Sequence, residues 1–122
     1  MTRPGQTTIV PAAALLSTWE SHAWDGAVLV DRLAPLDRLV VRTHHSVYDI
    51  LVSSPATGDV LVRGGAYFPE FTAARLSGST LGGSFVKVRA ISAGFRLEFT
   101  LGRQFVLTSA VRSVELIAAP QE

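Results

Sequence analysis

Three histidines are the residues of this 122-residue chain whose side chains most readily bind metals or exchange protons near neutral pH. His44 and His45 are adjacent, so in an extended strand they would point to opposite faces and could not share one metal ion. His22 stands in a separate stretch, cysteine is absent, and the acidic residues are scattered. We therefore predict no metal site and expect a polar bend at His44–Ser46, where His45 could still contact a phosphate.

The glycine-rich stretch from Gly78 to Ser84 (GSTLGGS) mimics the start of a phosphate-binding loop, G-x-x-x-x-G. That loop needs a lysine directly after the second glycine, and Ser84 stands there instead. A nucleophile elbow, G-x-S-x-G, would need serine at the position of Thr80. We therefore expect a glycine-rich crossing between strands, no catalytic residue, no cofactor and a non-enzymatic protein.

Basic residues at outward or turn positions of the predicted strands are the candidates for binding. Small barrels commonly bind oligonucleotides with such a strand face and nearby aromatic rings, although an ordinary solvated sheet face would carry the same arginines. The net charge of only +1 gives nucleic-acid binding no support by itself. The candidate binding residues are Arg42, His45, Arg63, Tyr67, Phe68, Lys87, Arg89 and Arg96, with Arg103 and Tyr48 as further members of the face.

The composition is unusually apolar for a chain without a membrane segment. Charged residues make up 17% of the sequence, against roughly 25% in an average domain. The excess apolar surface favours a homo-oligomer or a protein partner, with Leu15, Trp19, Trp24 and Phe105 as candidate interface residues. Ala- and Val-rich usage in a GC-rich genome would produce the same composition, and ten of the eleven basic residues being arginine fits that alternative.

The N-terminal region is expected to be a flexible segment, 1–10, followed by one amphipathic helix, 11–23. Pro11 is tolerated at a first helical position, and five apolar residues share one face: Ala12, Leu15, Leu16, Trp19 and Ala23. The first nine residues lack the apolar core of a signal peptide, and no apolar run approaches the ~18–20 residues that span a bilayer. We therefore expect a cytoplasmic protein that makes no membrane contact.

Residues 38–65 are the part of the chain on which we expect the rest to fold. Three β-branched and aliphatic runs, Leu39–Thr43, Val47–Ser53 and Val60–Arg63, are separated by polar or turn-forming residues. This pattern predicts a three-stranded antiparallel meander, with Pro55–Asp59 as its second turn. The shorter run at 27–33 fits either an edge strand or an extended lead-in.

The second half of the chain should return to strands after a packed, irregular loop at 66–83, with a helical turn across Pro69–Leu76. The strands predicted after this loop are Phe85–Ile91, Phe95–Leu101, Phe105–Thr108 and Val111–Ile117, followed by a flexible tail at 118–122. Alternation within the second of them places Phe95, Leu97, Phe99 and Leu101 on the inward face.

The turn after Leu101 can be built in two registers. A two-residue turn, Gly102-Arg103, pairs Leu101 with Gln104 and mixes apolar with polar faces. A three-residue turn pairs Leu101 with Phe105 and Phe99 with Leu107, which keeps the apolar residues together. Because a one-residue slip turns every side chain to the other face, we favour the three-residue turn.

These elements predict one mainly all-β domain over residues 11–117, a small antiparallel β-barrel preceded by one short N-terminal α-helix. Their order resembles an SH3-like or Sm-like barrel, a group whose Sm-like members assemble into rings that bind RNA. Residues 38–117 are also similar to a set of uncharacterised bacterial proteins. The shared segments are GGAYFPE (64–70), GSTLGGS (78–84), GFRLEF (94–99) and TSAVRSVEL (108–116).

From the sequence we expect a module that self-associates and contacts a protein partner. The alternative is a barrel that binds RNA or single-stranded DNA through its arginine-bearing face.

Overall fold

The computed structural model describes residues 27–80 and 86–120. The predicted segments 1–10 and 11–23 lie outside the described residues, as do the candidate interface residues Leu15, Trp19 and Trp24. Within the described ranges there is no α-helix, so none there is long and apolar enough to cross a membrane. The regular elements are β1 (Val28–Leu29), a 3-10 turn (Val30–Arg32), β2 (Arg38–Thr43), β3 (Val47–Ser54), β4 (Asp59–Gly64), β5 (Phe68–Thr80), β6 (Lys87–Val88), β7 (Ala90–Ile91), β8 (Arg96–Leu101) and β9 (Gln104–Ile117).

Six of these strands form a closed antiparallel ring. The order is β4-β3-β2-β9-β8-β5, and β5 pairs again with β4, so the sheet closes on itself. β6 adds to β5, and β1 pairs with β7 as a separate two-stranded sheet. The prediction of an all-β fold is confirmed.

The two longest strands, β5 and β9, each pair with one neighbouring strand along their first part and with a different one along their second part. β5 pairs with β4 through residues 68–75 and with β8 through residues 75–80. β9 pairs with β8 through residues 104–110 and with β2 through residues 111–117. Register shifts lie near both changes of partner, as expected where a strand bends to turn the corner of a small barrel.

The predicted meander is confirmed as β2, β3 and β4. Alternate residues of these strands are buried, and Val30 and Ile91 join them in the core. Tyr48, Phe68 and Phe99 form the aromatic centre, with ring centroids of Phe68 and Phe99 5.5 Å apart. Closely packed edge-to-face rings of this kind stabilise a core beyond their buried area.

The predicted loop and helical turn before Gly78 are wrong, because this stretch is the 13-residue strand β5. Proline disfavours a strand, since it has no backbone N–H to donate to a neighbouring strand. Pro69 falls opposite the register shift between Val62 and Gly64, where a missing N–H is tolerated. Phe68 and Leu76 are both wholly buried, so the strand is held in the core at two points.

The predicted strand Phe85–Ile91 is also corrected. Only two-residue strands, β6 and β7, occur in its described part, and Arg89 between them has a φ of +53°. The Arg89 N–H donates to the Ser77 carbonyl of β5, and the Arg89 carbonyl accepts the N–H of Val30 in the 3-10 turn. The backbone at Arg89 is therefore hydrogen-bonded to two different elements.

The β8–β9 hairpin has the two-residue turn, so the predicted three-residue turn is wrong. Leu101 pairs with Gln104 and Phe99 with Val106. Val106 is the buried residue, whereas Phe105 is 69% and Leu107 41% exposed. The prediction failed because it assumed that both large apolar residues of this strand face inward. β9 also continues without a break to Ile117, where two strands were predicted.

The described end of the chain, 118–120, is tied to the start of β2. The Ala119 N–H donates to Asp37 Oδ1 at 2.7 Å, and the Ala34 N–H donates to Oδ2 at 2.9 Å. These backbone donors lower the pKa of Asp37. Residue 119 is therefore anchored, where the sequence predicted a flexible tail.

Candidate functional site

The bend between β2 and β3 is shaped by hydroxyl groups. The Thr43 hydroxyl donates to the Ser46 carbonyl at 3.1 Å and accepts the Ser46 N–H at 3.0 Å. The Thr43 N–H also donates to the Ser46 carbonyl, at 2.8 Å. These bonds close a tight turn around His44 and His45, which confirms the predicted bend.

The same bend is fastened to β9. The His44 N–H donates to the Ala110 carbonyl at 3.0 Å, and the His45 N–H donates to Ser109 Oγ at 3.0 Å. Ser109 in turn donates to Thr43 Oγ1 at 2.8 Å. Because the backbone is bound on both sides, the two imidazoles stay on the surface, with their ring centroids 4.7 Å apart in a T-shaped arrangement.

Two adjoining open grooves flank this bend and share His44. The first, of about 390 Å³, is lined by Arg42, Thr43, His44, His45, Ser46, Val47, Arg112 and Ser113. The second, of about 440 Å³, is lined by His44, Thr80, Gly94, Arg96, Ser109 and Ala110. None of these described lining residues is Asp or Glu. We call Arg42, His44, His45, Arg96 and Arg112 the basic bend.

Arginines elsewhere on the sheet are neutralised by carboxylates. Asp49 binds Arg38 through two hydrogen bonds, at 2.6 and 2.7 Å, and binds Arg63 at 3.2 Å. The hydrogen bonds from Arg38 are the main reason that the pKa of Asp49 is lowered. Asp59 pairs with Arg75 at 3.4 Å, and the pKa of Asp59 is lowered, chiefly by the hydrogen bond from Thr57.

The three arginines of the basic bend have no such partner within the described ranges. Arg42, Arg96 and Arg112 are exposed and form no ion pair there. Arg96 is partly positioned, because its Nε donates to the Thr108 carbonyl at 3.0 Å. Positive charge is therefore concentrated at this end of the barrel, although the whole chain carries only +1.

The chemistry open to the basic bend is anion binding. A guanidinium group matches a phosphate or carboxylate with paired, charge-assisted hydrogen bonds, and neighbouring hydroxyls can donate as well. Among the described residues, no group of three or more His, Cys, Asp or Glu side chains is placed to hold a metal ion.

Only some of the predicted binding residues lie together in the structure. Arg42, His45 and Arg96 come together at the basic bend. Arg63 is paired with Asp49 and lies 4.4 Å from the centroid of the Phe71 ring. Phe68 is wholly buried, so it cannot stack on a ligand as predicted.

The remaining candidates lie away from the two grooves. Tyr48, the further stacking candidate, is buried, whereas Tyr67 is 69% exposed in the turn after β4. Lys87 lies in β6, and Arg89 has a buried Nε with no hydrogen-bond partner in the described part of the chain. Neither residue lines the grooves at the bend.

Sequence reasoning missed His44 and Arg112 as members of the site. Arg112 approaches Arg42 only because β9 pairs with β2, with Arg42 opposite Ser113. These positions are about 70 residues apart in the sequence, so periodicity within either strand could not reveal that both line one groove. The predicted interface residue Phe105 is among the most exposed apolar side chains described.

Comparison with known proteins finds no matching family model, no matching curated protein and no matching solved structure. Function must therefore be inferred from the chain's own geometry.

Proposed function

We propose that this protein is a non-enzymatic, cytoplasmic β-barrel module that binds single-stranded RNA or DNA at the basic bend. One observation carries the proposal: three arginines and two imidazoles lie around the two adjoining grooves. Within the described residues these arginines form no ion pair, and no Asp or Glu lines the grooves. Phosphates supply most of the affinity in sequence-independent binding, and arginine is well suited to contact them.

A chain of phosphates fits this surface better than one small anion does. The two grooves are open and share His44 as a lining residue, so a ligand that spans both could place successive phosphates against them. Tyr67, in the turn after β4, supplies an exposed aromatic ring, although it lines neither groove. Stacking of a base on an exposed aromatic ring is the usual complement to such phosphate contacts.

The test is fluorescence anisotropy with a labelled oligonucleotide of about ten nucleotides at low salt, a length within the range one small barrel covers. Arg42→Ala and Arg112→Ala should each weaken binding about tenfold, because each removes charge-assisted contacts to phosphate. Arg103→Ala is the matched control. It removes the same charge from an exposed position in the β8–β9 turn, and it should change the affinity less than twofold.

Two outcomes would reject the proposal. One is no measurable binding to RNA or single-stranded DNA at low salt. The other is an equal loss of affinity in Arg103→Ala and Arg42→Ala, since this would mean that only the net charge matters.

A second candidate function, self-association with contact to a protein partner, is favoured by β9. Phe105 and Leu107 are 69% and 41% exposed on one face of that strand, and exposed apolar side chains that lie beside one another mark interaction surfaces. Light scattering with size-exclusion chromatography tests it. A 13.1 kDa monomer across micromolar concentrations would contradict it.

We further propose that the barrel is SH3-like or Sm-like. Bent antiparallel strands that close into a ring support this proposal. The Sm-like comparison agrees with both candidate functions, since proteins of that group form rings and bind RNA.

A further inference from the structure

Among the residues that the structure describes, the first half of β9 has an open edge. Residues 104–110 pair with β8 on one side, and β2 pairs with β9 only from Val111 onwards. In the described part of the chain no strand pairs with the other side of residues 104–109. An open edge of this kind is a template for adding a strand.

The backbone groups on this edge belong to Phe105 and Leu107. Leu101 and Gln104 flank a two-residue turn and therefore form a hydrogen-bonded pair. Hydrogen-bonded and non-bonded pairs alternate along an antiparallel ladder, so Phe105 and Leu107 direct their N–H and C=O groups away from β8. Their side chains lie on the exposed outer face.

The edge lacks the charged residues and proline that often prevent strand addition. Natural edge strands carry charged residues or proline, whereas residues 104–111 (QFVLTSAV) contain neither. The outer face over β2, β3 and β4 contrasts with it, because ion pairs of Arg38, Arg63 and Asp49 cover that surface.

We propose that this edge pairs with the same edge of a second copy of the chain, antiparallel and about a two-fold axis at Val106. The inference rests on the self-association proposed above and names its interface. In this register Phe105 lies opposite Leu107 of the second copy, and Gln104 lies opposite Thr108. The segment Gln104–Thr108 is symmetric in polarity about Val106, which makes it complementary to itself.

Neighbouring registers are less favourable. An axis at Phe105 places Leu107 opposite the charged Arg103. An axis at Leu107 places Arg103 opposite Val111, whose edge is already occupied by Thr43 of β2. Of these three axes, only the one at Val106 brings together backbone groups that point away from β8 and also places Phe105 opposite Leu107 of the second copy. Such cross-strand pairs of apolar side chains stabilise antiparallel sheets.

The experiment compares wild type, the double variant Phe105→Lys/Leu107→Lys, and Val88→Lys by light scattering at several concentrations. Val88 is a 60% exposed apolar residue on β6, so it controls for adding a lysine elsewhere on the surface. We expect a dimer for wild type and Val88→Lys, and at least a tenfold weaker dimer for the double variant. Far-ultraviolet circular dichroism checks that each variant is folded.

Hydrogen exchange on the wild-type protein provides a test that needs no variant. The amides of Phe105 and Leu107 should be protected in the dimer and should exchange faster on dilution. A wild-type monomer would overturn both the self-association and this interface. A dimer that keeps its affinity in the double variant, or that leaves these two amides unprotected, would overturn the interface alone.

Discussion

Hydroxyl side chains fix the shape of the candidate site. Thr43 closes the bend on itself, and Ser109, on the neighbouring strand β9, hydrogen-bonds to both the Thr43 hydroxyl and the backbone N–H of His45. These small groups determine where the histidines stand, although they would carry no charge to a ligand. The residues that shape the site and the residues that would bind at it are therefore different.

Phe68 and Tyr67 show at the residue scale why neighbours in sequence can have unlike roles. Phe68→Ala should lower the free energy of unfolding by about 3–5 kcal/mol, because it empties the centre of the aromatic core. Tyr67→Ala, the adjacent control, should change it by less than about 0.5 kcal/mol, because the ring is 69% exposed. Urea denaturation measures both, and equal losses would contradict the assignment of Phe68 to the core.

The sequence could identify arginine and histidine as the residue types that form the site, but it could predict only some of the residues that come together there. Arg42, His45 and Arg96 were chosen as outward or turn residues, and this holds for all three. Phe68 was chosen for its ring alone, since its placement in a predicted irregular loop gives no means of telling a stacking ring from a core ring.

Close packing of β5 against β6 is the main constraint at the element scale. Gly78 has a φ of +144°, and a Cβ added there would collide with the carbonyl of Lys87. β5 and β6 approach so closely here that only glycine fits. Residues 81–84 of the predicted glycine-rich crossing lie outside the described residues.

Gly78→Ala should therefore be much more destabilising than Gly102→Ala. Gly102 has a φ of +57° but open space around its Cα, so its substitution costs only the left-handed backbone, about 1–2 kcal/mol. Gly78→Ala adds a collision with backbone and should cost at least about 2 kcal/mol more. Thermal unfolding followed by circular dichroism compares them, and similar melting temperatures would show that β6 does not pack closely on β5.

Local patterns predicted the meander but not the hairpin register. β2, β3 and β4 are separated by clear turn residues and alternate in burial, so each strand could be placed from its own residues. The β8–β9 register depended on the assumption that large apolar residues face the core. Phe105 and Leu107 break that assumption, and the surface they create is the one for which we propose a partner.

Charge is distributed unevenly over the described part of the molecule. Asp49 and Asp59 neutralise arginines on the sheet, while the arginines of the basic bend are left without carboxylates in the described ranges. A net charge of +1 therefore hides a local excess of positive charge. Composition could not predict this segregation, because it depends on which strands the closed ring brings together.

The most direct test of the central claim is the salt dependence of oligonucleotide binding. If Arg42, Arg96 and Arg112 each contact one phosphate, the slope of log affinity against log salt should be about −2, since each contact on a single strand contributes about −0.7. A threefold rise in salt should then weaken binding about tenfold. The triple variant Arg42→Ala/Arg96→Ala/Arg112→Ala should lose both the affinity and the slope. Binding that is insensitive to salt, or a slope that the triple variant retains, would contradict the account.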